Sequence, residues 1–571
     1  MKNYKNIIGL VLLLLAISAC KKYEQFPVDK VPINIVFDKY DSLGTNAHQY
    51  LNSIYALLRN GRNAVGGDYL DAASDDAVSS AASSSNAVTI LSTATYNSFT
   101  VPADENVWSG TKSYWAGIRM VNEFVNNIDI VPVQQTYNGV SMKYAWKAEA
   151  RFLRAYFYFE LVKRYGGVPL LGDKVYGLTD NLALPRNSFD DCIKYIVSEC
   201  DAIKGSMLTS PIISANAYYG RATQGAAMAL KARVLLYAAS PLFNGGNIDG
   251  SNPLTGYPDN SADRWKQAAT AAKDVMDLGV FSLDNSFTDV FLTQNNPEVI
   301  FIVQGDNGNS VESANGPIGF PAANAQGRTS PTEELVEAYP MANGLPITDP
   351  TSGYNPDQPY LNRDPRLSYT ILHNGSQWLN TTLATYEGGQ SKPNNGLQQT
   401  LTSYYTRKFM GNFESTNSYS SHSEDWLVFR YAEILLNYAE AENETTTSAQ
   451  ADVYDALYKL RARAGIAAGD GHYGLKANLS QADMRTVIRN ERRLELAFEE
   501  SRYFDIRRWK IADAIMNQPR KGETVFESGT SFTYNTVNVL NTKFVAPKMY
   551  LYPVPYDEVL KNPNMKQNPG W

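Results

Sequence analysis

Four histidines, at positions 48, 373, 422 and 472, are all the imidazole this 571-residue chain offers for acid–base work or metal binding. No two stand three or four apart, the spacing at which one helix face presents a metal-binding pair. A Gly-x-Ser-x-Gly elbow, a phosphate-cradling loop and a dinucleotide fingerprint are also missing from the sequence. Paired carboxylates stay open as a class, because the two acids of a glycosidase come from distant parts of a chain. The adjacent pairs Asp75-Asp76, Glu333-Glu334 and Glu499-Glu500 read instead as solvated faces, since neighbours on a helix point about 100° apart. Asp249-Gly-Ser-Asn252 and Asp259-Asn-Ser-Ala-Asp263 hold oxygen donors without the spacing of an EF-hand loop, so no metal is expected. Cys192 and Cys200 lie eight apart in DCIKYIVSEC, a helical stretch. Eight helical residues span about 12 Å, too far for a disulfide, so both are expected as free, buried thiols. No catalytic residue and no cofactor is expected.

The chemistry that remains is binding. Aromatic residues make up 12% of the chain, with 37 tyrosines, and a tyrosine ring with its polar tip suits a partly polar ligand. Sugars are held by rings stacking on their apolar faces, with Asn, Asp, Gln and Arg taking the hydroxyls. Two irregular stretches supply both kinds of residue. Ala72 to Ser98 is rich in Ser, Ala, Asn and Thr with little periodicity, and reads as a long loop excursion. Gly305 to about Tyr419 is rich in Gly, Pro, Asn and aromatics. Tyr69, Asp76, Tyr96 and Asn97 in or beside the first, and Phe320 and Trp378 in the second, are the candidate ligand contacts. With 51 Lys+Arg against 58 Asp+Glu and a net charge of −7, the chain lacks the basic excess that phosphates reward, which argues against nucleic acid.

These loops need a scaffold, and helical periodicity provides one. In AEARFLRAYFYFELVKRYGGVPLL, apolar residues recur at Ala148, Phe152, Ala155, Phe159 and Val162, one stripe of a 3.6-residue helix. Leu153, Tyr156, Phe157 and Leu161 widen the stripe until the helix must be packed on several sides. Gly166-Gly167-Val168-Pro169 stops it, because glycine accepts a C-cap's positive φ and proline cannot continue a helix. Tyr144–Arg164 with Asp190–Ile203, and Ala222–Ser240 with Trp265–Leu278, have the size of tetratricopeptide hairpins on an irregular repeat. Helical spacing also marks His48–Leu58, Val107–Ile128, Leu427–Asn443 and Ala451–Ala464. Met484–Trp509 reads as an acidic-aromatic helix with ion pairs at i,i+3 and i,i+4. At the start, Lys2 and Lys5 precede an apolar run from Ile7 to Ile17, a secretory signal too short to span a membrane.

Four of these motifs resemble the SusD/RagB family of surface nutrient-binding lipoproteins. RFLRAYFYFELVKRYGGVP is similar to the family's signature helix, and RRLELAFEESRYFDIRRW to its late helix ending in Phe-Asp-x-x-Arg-Trp. The close, YPVPYDEVLKNPNMKQNPGW, follows the family's closing pattern with Trp571 where tyrosine is usual. Ile17-Ser18-Ala19-Cys20 resembles a bacterial lipobox, which implies acylation of Cys20 and stable anchoring by several chains. Lys21-Lys22-Tyr23-Glu24 is not an obvious acidic export tag, so exterior orientation is carried by the resemblance alone.

The expected fold is mainly α: a tetratricopeptide-like α-α superhelix of about four helical hairpins, with a large irregular region and little β. The expected parts are a signal peptide at 1–19, a lipidated tether at 20–39, an N-terminal SusD-like helical part at 40–304 with a loop insertion at 60–105, and a C-terminal part at 305–571 with an irregular region at 305–420 and helices at 427–516. The resemblance implies an outer-membrane lipoprotein facing the cell exterior, which binds oligosaccharides and passes them to a SusC-like TonB-dependent transporter. Peptide binding, as in RagB-like members, a glycoside hydrolase, and a pure tetratricopeptide scaffold are the alternatives.

Overall fold

The computed structural model describes residues 32–81, 83–110, 113–210, 218–320, 324–446 and 450–571. The expected signal peptide and Cys20 lie outside the described residues. Helices α1 (Thr45–Tyr55), α2 (Tyr114–Asn127), α3 (Met142–Tyr165), α4 (Phe189–Ile203), α5 (Gln224–Ala239), α6 (Ala262–Asp277), α7 (Tyr431–Asn443) and α8 (Ala451–Ala464) form the scaffold. Each packs against the next in chain order, and they pair as four hairpins, α1/α2, α3/α4, α5/α6 and α7/α8. Helix accounts for 39% of the chain and strand for 11%, a mainly helical, tetratricopeptide-like fold.

Helix α3 sits in the middle. Every residue from Phe152 to Val162 is buried, as its near-continuous apolar surface requires. The polar residues it carries inward are paired: Arg154 donates to Asn122 Oδ1 at 2.7 Å and to Glu199 Oε2 at 2.8 Å. Gly166 ends the helix at φ +76°, and a Cβ there would lie 2.3 Å from the Leu254 carbonyl oxygen. The next glycine is equally constrained, with Asn187 O 2.1 Å from a Cβ at Gly167. Ser188 and Asp191 then start α4 with a capping box.

The first irregular stretch is not the exposed excursion its composition suggests. Leu70–Ala73 is a short 3-10 helix and Ala87–Ser92 an α-helix. Ala77–Ser79 forms strand β1, antiparallel to β3 (Thr329–Pro331) with Ala77 opposite Pro331. Its small residues let backbone pack closely in the interior, which erases the apolar periodicity that sequence reading relies on.

Two further strands, β2 (Val299–Val303) and β4 (Trp426–Arg430), pair antiparallel beside α5. A long hairpin, β5 (Pro519–Ser528) with β6 (Ser531–Asn541), follows the last major helices; the sequence reading did not anticipate it. Gly529, at φ +64°, makes its turn.

The adjacent acidic pairs expected on solvated faces are buried or nearly so, and are bound to arginines and tyrosines. The acidic-aromatic helix also breaks in two, α9 (Gln481–Glu495) and α10 (Ser501–Arg508), with Phe498 and Glu500 left-handed at φ +63° and +59°. Asp505 pairs within the stretch, with Arg508 at i,i+3 and with Arg492 of α9, but its glutamates reach other elements. Glu491 meets Arg366 at 2.7 Å and Arg461 at 2.8 Å; Glu495 meets Arg366, Arg430 and Arg463; Glu499 meets Arg430 at 2.7 Å and Lys408 at 2.7 Å. Glu500 takes Arg59 at 2.9 Å. Asp75 and Asp76 face Arg493 and Arg502. A buried carboxylate is tolerated only when paired and hydrogen-bonded; Asp75, Asp76, Glu491, Glu495, Glu499 and Glu500 each have an arginine or lysine from a distant element, and Glu333 has the Tyr404 hydroxyl.

Candidate functional site

Four of the six expected ligand contacts are interior side chains. Tyr69 is fully buried between Phe409 and Phe498, each ring centre 5.8 Å away. Asp76 is fully buried, with Oδ1 accepting from Arg493 Nε at 2.6 Å. Tyr96 packs on Trp571 with ring centres 5.2 Å apart. Trp378 is fully buried and donates Nε1–H to the Tyr419 hydroxyl at 3.0 Å. In this structure all four face the interior: the three rings close a core and the Asp76 carboxylate is taken by Arg493. Asn97 is exposed, but its Oδ1 accepts the Phe99 N–H at 2.9 Å in its own turn. Phe320 is half-buried against the main core. The six do not converge on one site.

Carboxyl groups do meet at one place. Glu333 Oε2 accepts from the Tyr404 hydroxyl at 2.6 Å, Tyr360 donates to Glu523, and the two tyrosine oxygens lie 3.4 Å apart. Burial pushes the Glu333 carboxyl up to about 7 and that of Glu523 up to about 8. Both residues are buried, and neither lines the two clefts described below. Asp249 and Asn252 are bonded to each other, Nδ2 to Oδ2 at 2.7 Å, in an Asx-turn loop.

A cleft with mixed aromatic and polar walls opens at the end of α1. Its volume is ≈ 540 Å³, and Asn52, Tyr55, Asn60, Tyr219, Arg221 and Gln304 supply its polar and aromatic walls. Asn52 and Tyr55 are one helical turn apart on α1, Gln304 follows the end of β2, and Tyr219–Arg221 precede α5. Gly220 brings that turn against the strand: it has φ +78°, and a Cβ there would lie 2.9 Å from Gln304 Cγ. The expected loop insertion at 60–105 starts at this rim, at Asn60, and the second irregular stretch follows it at Gly305.

Both tyrosines are held by their hydroxyls. Tyr55 donates to Glu149 Oε2 at 2.7 Å and accepts the Ala222 N–H at 3.0 Å. Tyr219 donates to Asp425 Oδ2 at 3.1 Å, while Asp425 Oδ1 accepts the Gly305 N–H at 2.9 Å. Burial raises both phenols, with Glu149 and Asp425 adding to it. Beneath the cleft, the Arg221 guanidinium stands 4.7 Å over the Tyr55 ring, with Nε 3.3 Å from Glu149 Oε2. His48, its ring centre 4.9 Å from that of Trp146 and tilted by 32°, is driven down to about 4 by burial and then by the charge of Arg221, so it is neutral. Ordered rings flanked by amides and an arginine are the lining of a site for a polar ligand with apolar faces. Sequence reading missed this lining because it looked within the irregular stretches. Tyr218-Tyr219-Gly220-Arg221, aromatics beside a glycine at the entry to an alanine-rich helix, was the available signal.

A second concavity of ≈ 470 Å³ is lined by Trp108, Trp115, Leu171, Leu182 and Met565. It is largely apolar and lacks the convergent amides of the first.

Comparison with known proteins gives two matches along the chain. A family profile described as the SusD family matches residues 297–571, and one described as "starch-binding associating with outer membrane" matches residues 38–236. A SusD-like protein P2 of Formosa agariphila is 23% identical over 487 residues, covering 83% of each chain. Among solved structures, a SusD-like protein of Bacteroides fragilis is 27% identical with a TM-score of 0.76, covering 95% of this chain and all of the other. A SusD-like carbohydrate-binding protein of the same species is 25% identical with a TM-score of 0.70, covering 92% and 99%.

Proposed function

The chain belongs to the SusD/RagB family, and from that premise we propose that it is an outer-membrane lipoprotein that binds oligosaccharides and delivers them to a SusC-like TonB-dependent transporter. The observation that carries the ligand class is the cleft of Tyr55 and Tyr219 with Asn52, Asn60 and Gln304 around them. Hydroxyl-anchored rings stack on a sugar's apolar face at little entropic cost, and the amides and Arg221 hydrogen-bond its hydroxyls. Carbohydrate binding is also what its Bacteroides fragilis relative is described as doing. The lipobox-like Ile17–Cys20 supports anchoring through acylated Cys20, and no helix among the described residues is long and apolar enough to cross a membrane. Exterior orientation and the transporter partner are inferred from the family. Capture without transformation of the ligand is supported by SusD-like relatives, one of them described as carbohydrate-binding, and by a cleft lining that includes neither Glu333 nor Glu523. Asn97 and Phe320 remain proposed as outer contacts.

Affinity electrophoresis through gels holding a panel of polysaccharides tests this reading. At least one polymer retards the protein, Tyr219→Ala weakens that retardation about ten-fold, and no reducing ends are released. Affinity for oligopeptides without any glycan would replace this reading by peptide binding.

A further inference from the structure

We propose that the cleft takes an oligosaccharide bearing a carboxylate or sulfate group, with Arg221 as the residue that recognises the acid; this rests on the cleft being the glycan site. Arg221 is 7% exposed and belongs to the cleft lining. Its Nε, Nη1 and Nη2 make no hydrogen bond among the described residues. A guanidinium carries five N–H donors in a planar fork, and a buried fork without acceptors is unfavourable unless something completes it.

No group among the described residues hydrogen-bonds it. Glu149 stands at ion-pair distance, 3.3 Å, and balances the charge. Its Oε2, which accepts from the Tyr55 hydroxyl at 2.7 Å, is not placed to form a hydrogen bond with the fork. The ring of Tyr55 covers one face of the guanidinium at 4.7 Å, which leaves the fork's edges as its donor sites. His48 Nε2, beside it, is also unpartnered among the described residues. Two coplanar oxygens of a carboxylate or sulfate match such a fork, whereas sugar hydroxyls meet it one at a time. The chain's net charge of −7 gives no general attraction for anions, so the preference has to come from this one group.

The test compares each acidic polymer with its own neutralised form. The purified protein is run through gels holding polygalacturonate, alginate or chondroitin sulfate, the carboxyl-reduced or desulfated versions of these, and neutral laminarin. The expected result is retardation by at least one acidic polymer, weakened about ten-fold or more by neutralising that polymer or by Arg221→Gln. Arg221→Lys, which keeps the charge and loses the fork, falls between. Equal retardation by acidic and neutralised forms, or no acidic polymer bound while laminarin binds, overturns the inference and leaves the glycan reading standing. Failure of every polymer overturns both. If Arg221→Gln does not fold, wild-type protein decides: retardation has to weaken as salt is raised from about 0.02 to 0.5 M, and salt-independent binding overturns the inference.

Discussion

Asp75 receives the fork of Arg502 side-on, Oδ1 from Nε at 2.8 Å and Oδ2 from Nη2 at 2.7 Å, across 427 positions of the chain. Both side chains are under 10% exposed. Breaking a buried pair costs about 3–5 kcal/mol where the other charge is stranded, and with Arg493 still 3.1 Å from Asp75 that is the upper end of the loss here. Arg502→Ala is therefore expected to lower unfolding free energy by that order in denaturant titrations. Loss within 0.5 kcal/mol, the range of an ordinary surface change, would show that the pair is idle.

Acid should expose the same relationship. Burial works against the charge of Asp75, but Arg502 and Arg493 outweigh it and hold its carboxyl well below the usual range. Glu160, held by Lys163 and Arg164 against its burial, is lowered to about 2. A carboxyl whose folded value is depressed contributes stability above its unfolded value, and loses it as pH falls through the folded one. Melting temperature should drop steeply below about pH 4. An Asp75→Asn variant should begin lower and fall less.

The cluster of Glu333 and Glu523 has the opposite sign. Their folded values, raised by burial to about 7 and about 8, exceed the unfolded value. Their contribution is complete below about pH 4.5 and is lost as pH rises to the folded values. Melting temperature should decline between pH 5 and pH 9, and Glu523→Gln should flatten that decline. A variant with the wild-type slope would remove Glu523 from the account.

Trp378 separates core from contact. Replacing a buried tryptophan by alanine costs about 3–5 kcal/mol, so Trp378→Ala should melt early yet, at temperatures where it is folded, bind glycan as wild type does. A selective loss of binding without loss of stability would restore it as a ligand contact.

The thiols should be silent. Cys192 and Cys200 are buried and free, and burial raises the Cys192 thiol to about 12 and lifts that of Cys200 as well. The thiolate is the reactive form, so iodoacetamide should label neither until denaturant unfolds the protein. Rapid labelling of native protein would contradict their burial.

The scaffold was legible because helices declare themselves locally. Phe152, Ala155 and Phe159 recur at the period of the helix they form, and Gly166-Gly167 mark its end. The interior of the first irregular stretch was not legible, because what buries Asp75 and Asp76 is Arg493 and Arg502, more than 400 residues on. No window of sequence contains both halves of such a pair. Tyr69 and Trp378 looked like ligand contacts for the same reason: a ring in a polar stretch gives no sign of which distant rings will cover it. The cleft lining was partly legible in kind, as tyrosines and amides, and not in place, because Tyr55, Tyr219 and Gln304 converge only once α1, α5 and β2 have packed.

The span between Asp75 and Arg502 also bears on how the chain is made. At a synthesis rate of about 5–20 residues per second, the arginine follows the aspartate by roughly 20–90 s. Through that interval Asp75, and Glu105 with its partner Arg59, whose other ligand is Glu500, are finished pieces waiting for their counterparts. The opening hundred residues therefore cannot complete their packing until the end of the chain has been made, and folding ends with the tail closing onto the beginning, like a clasp.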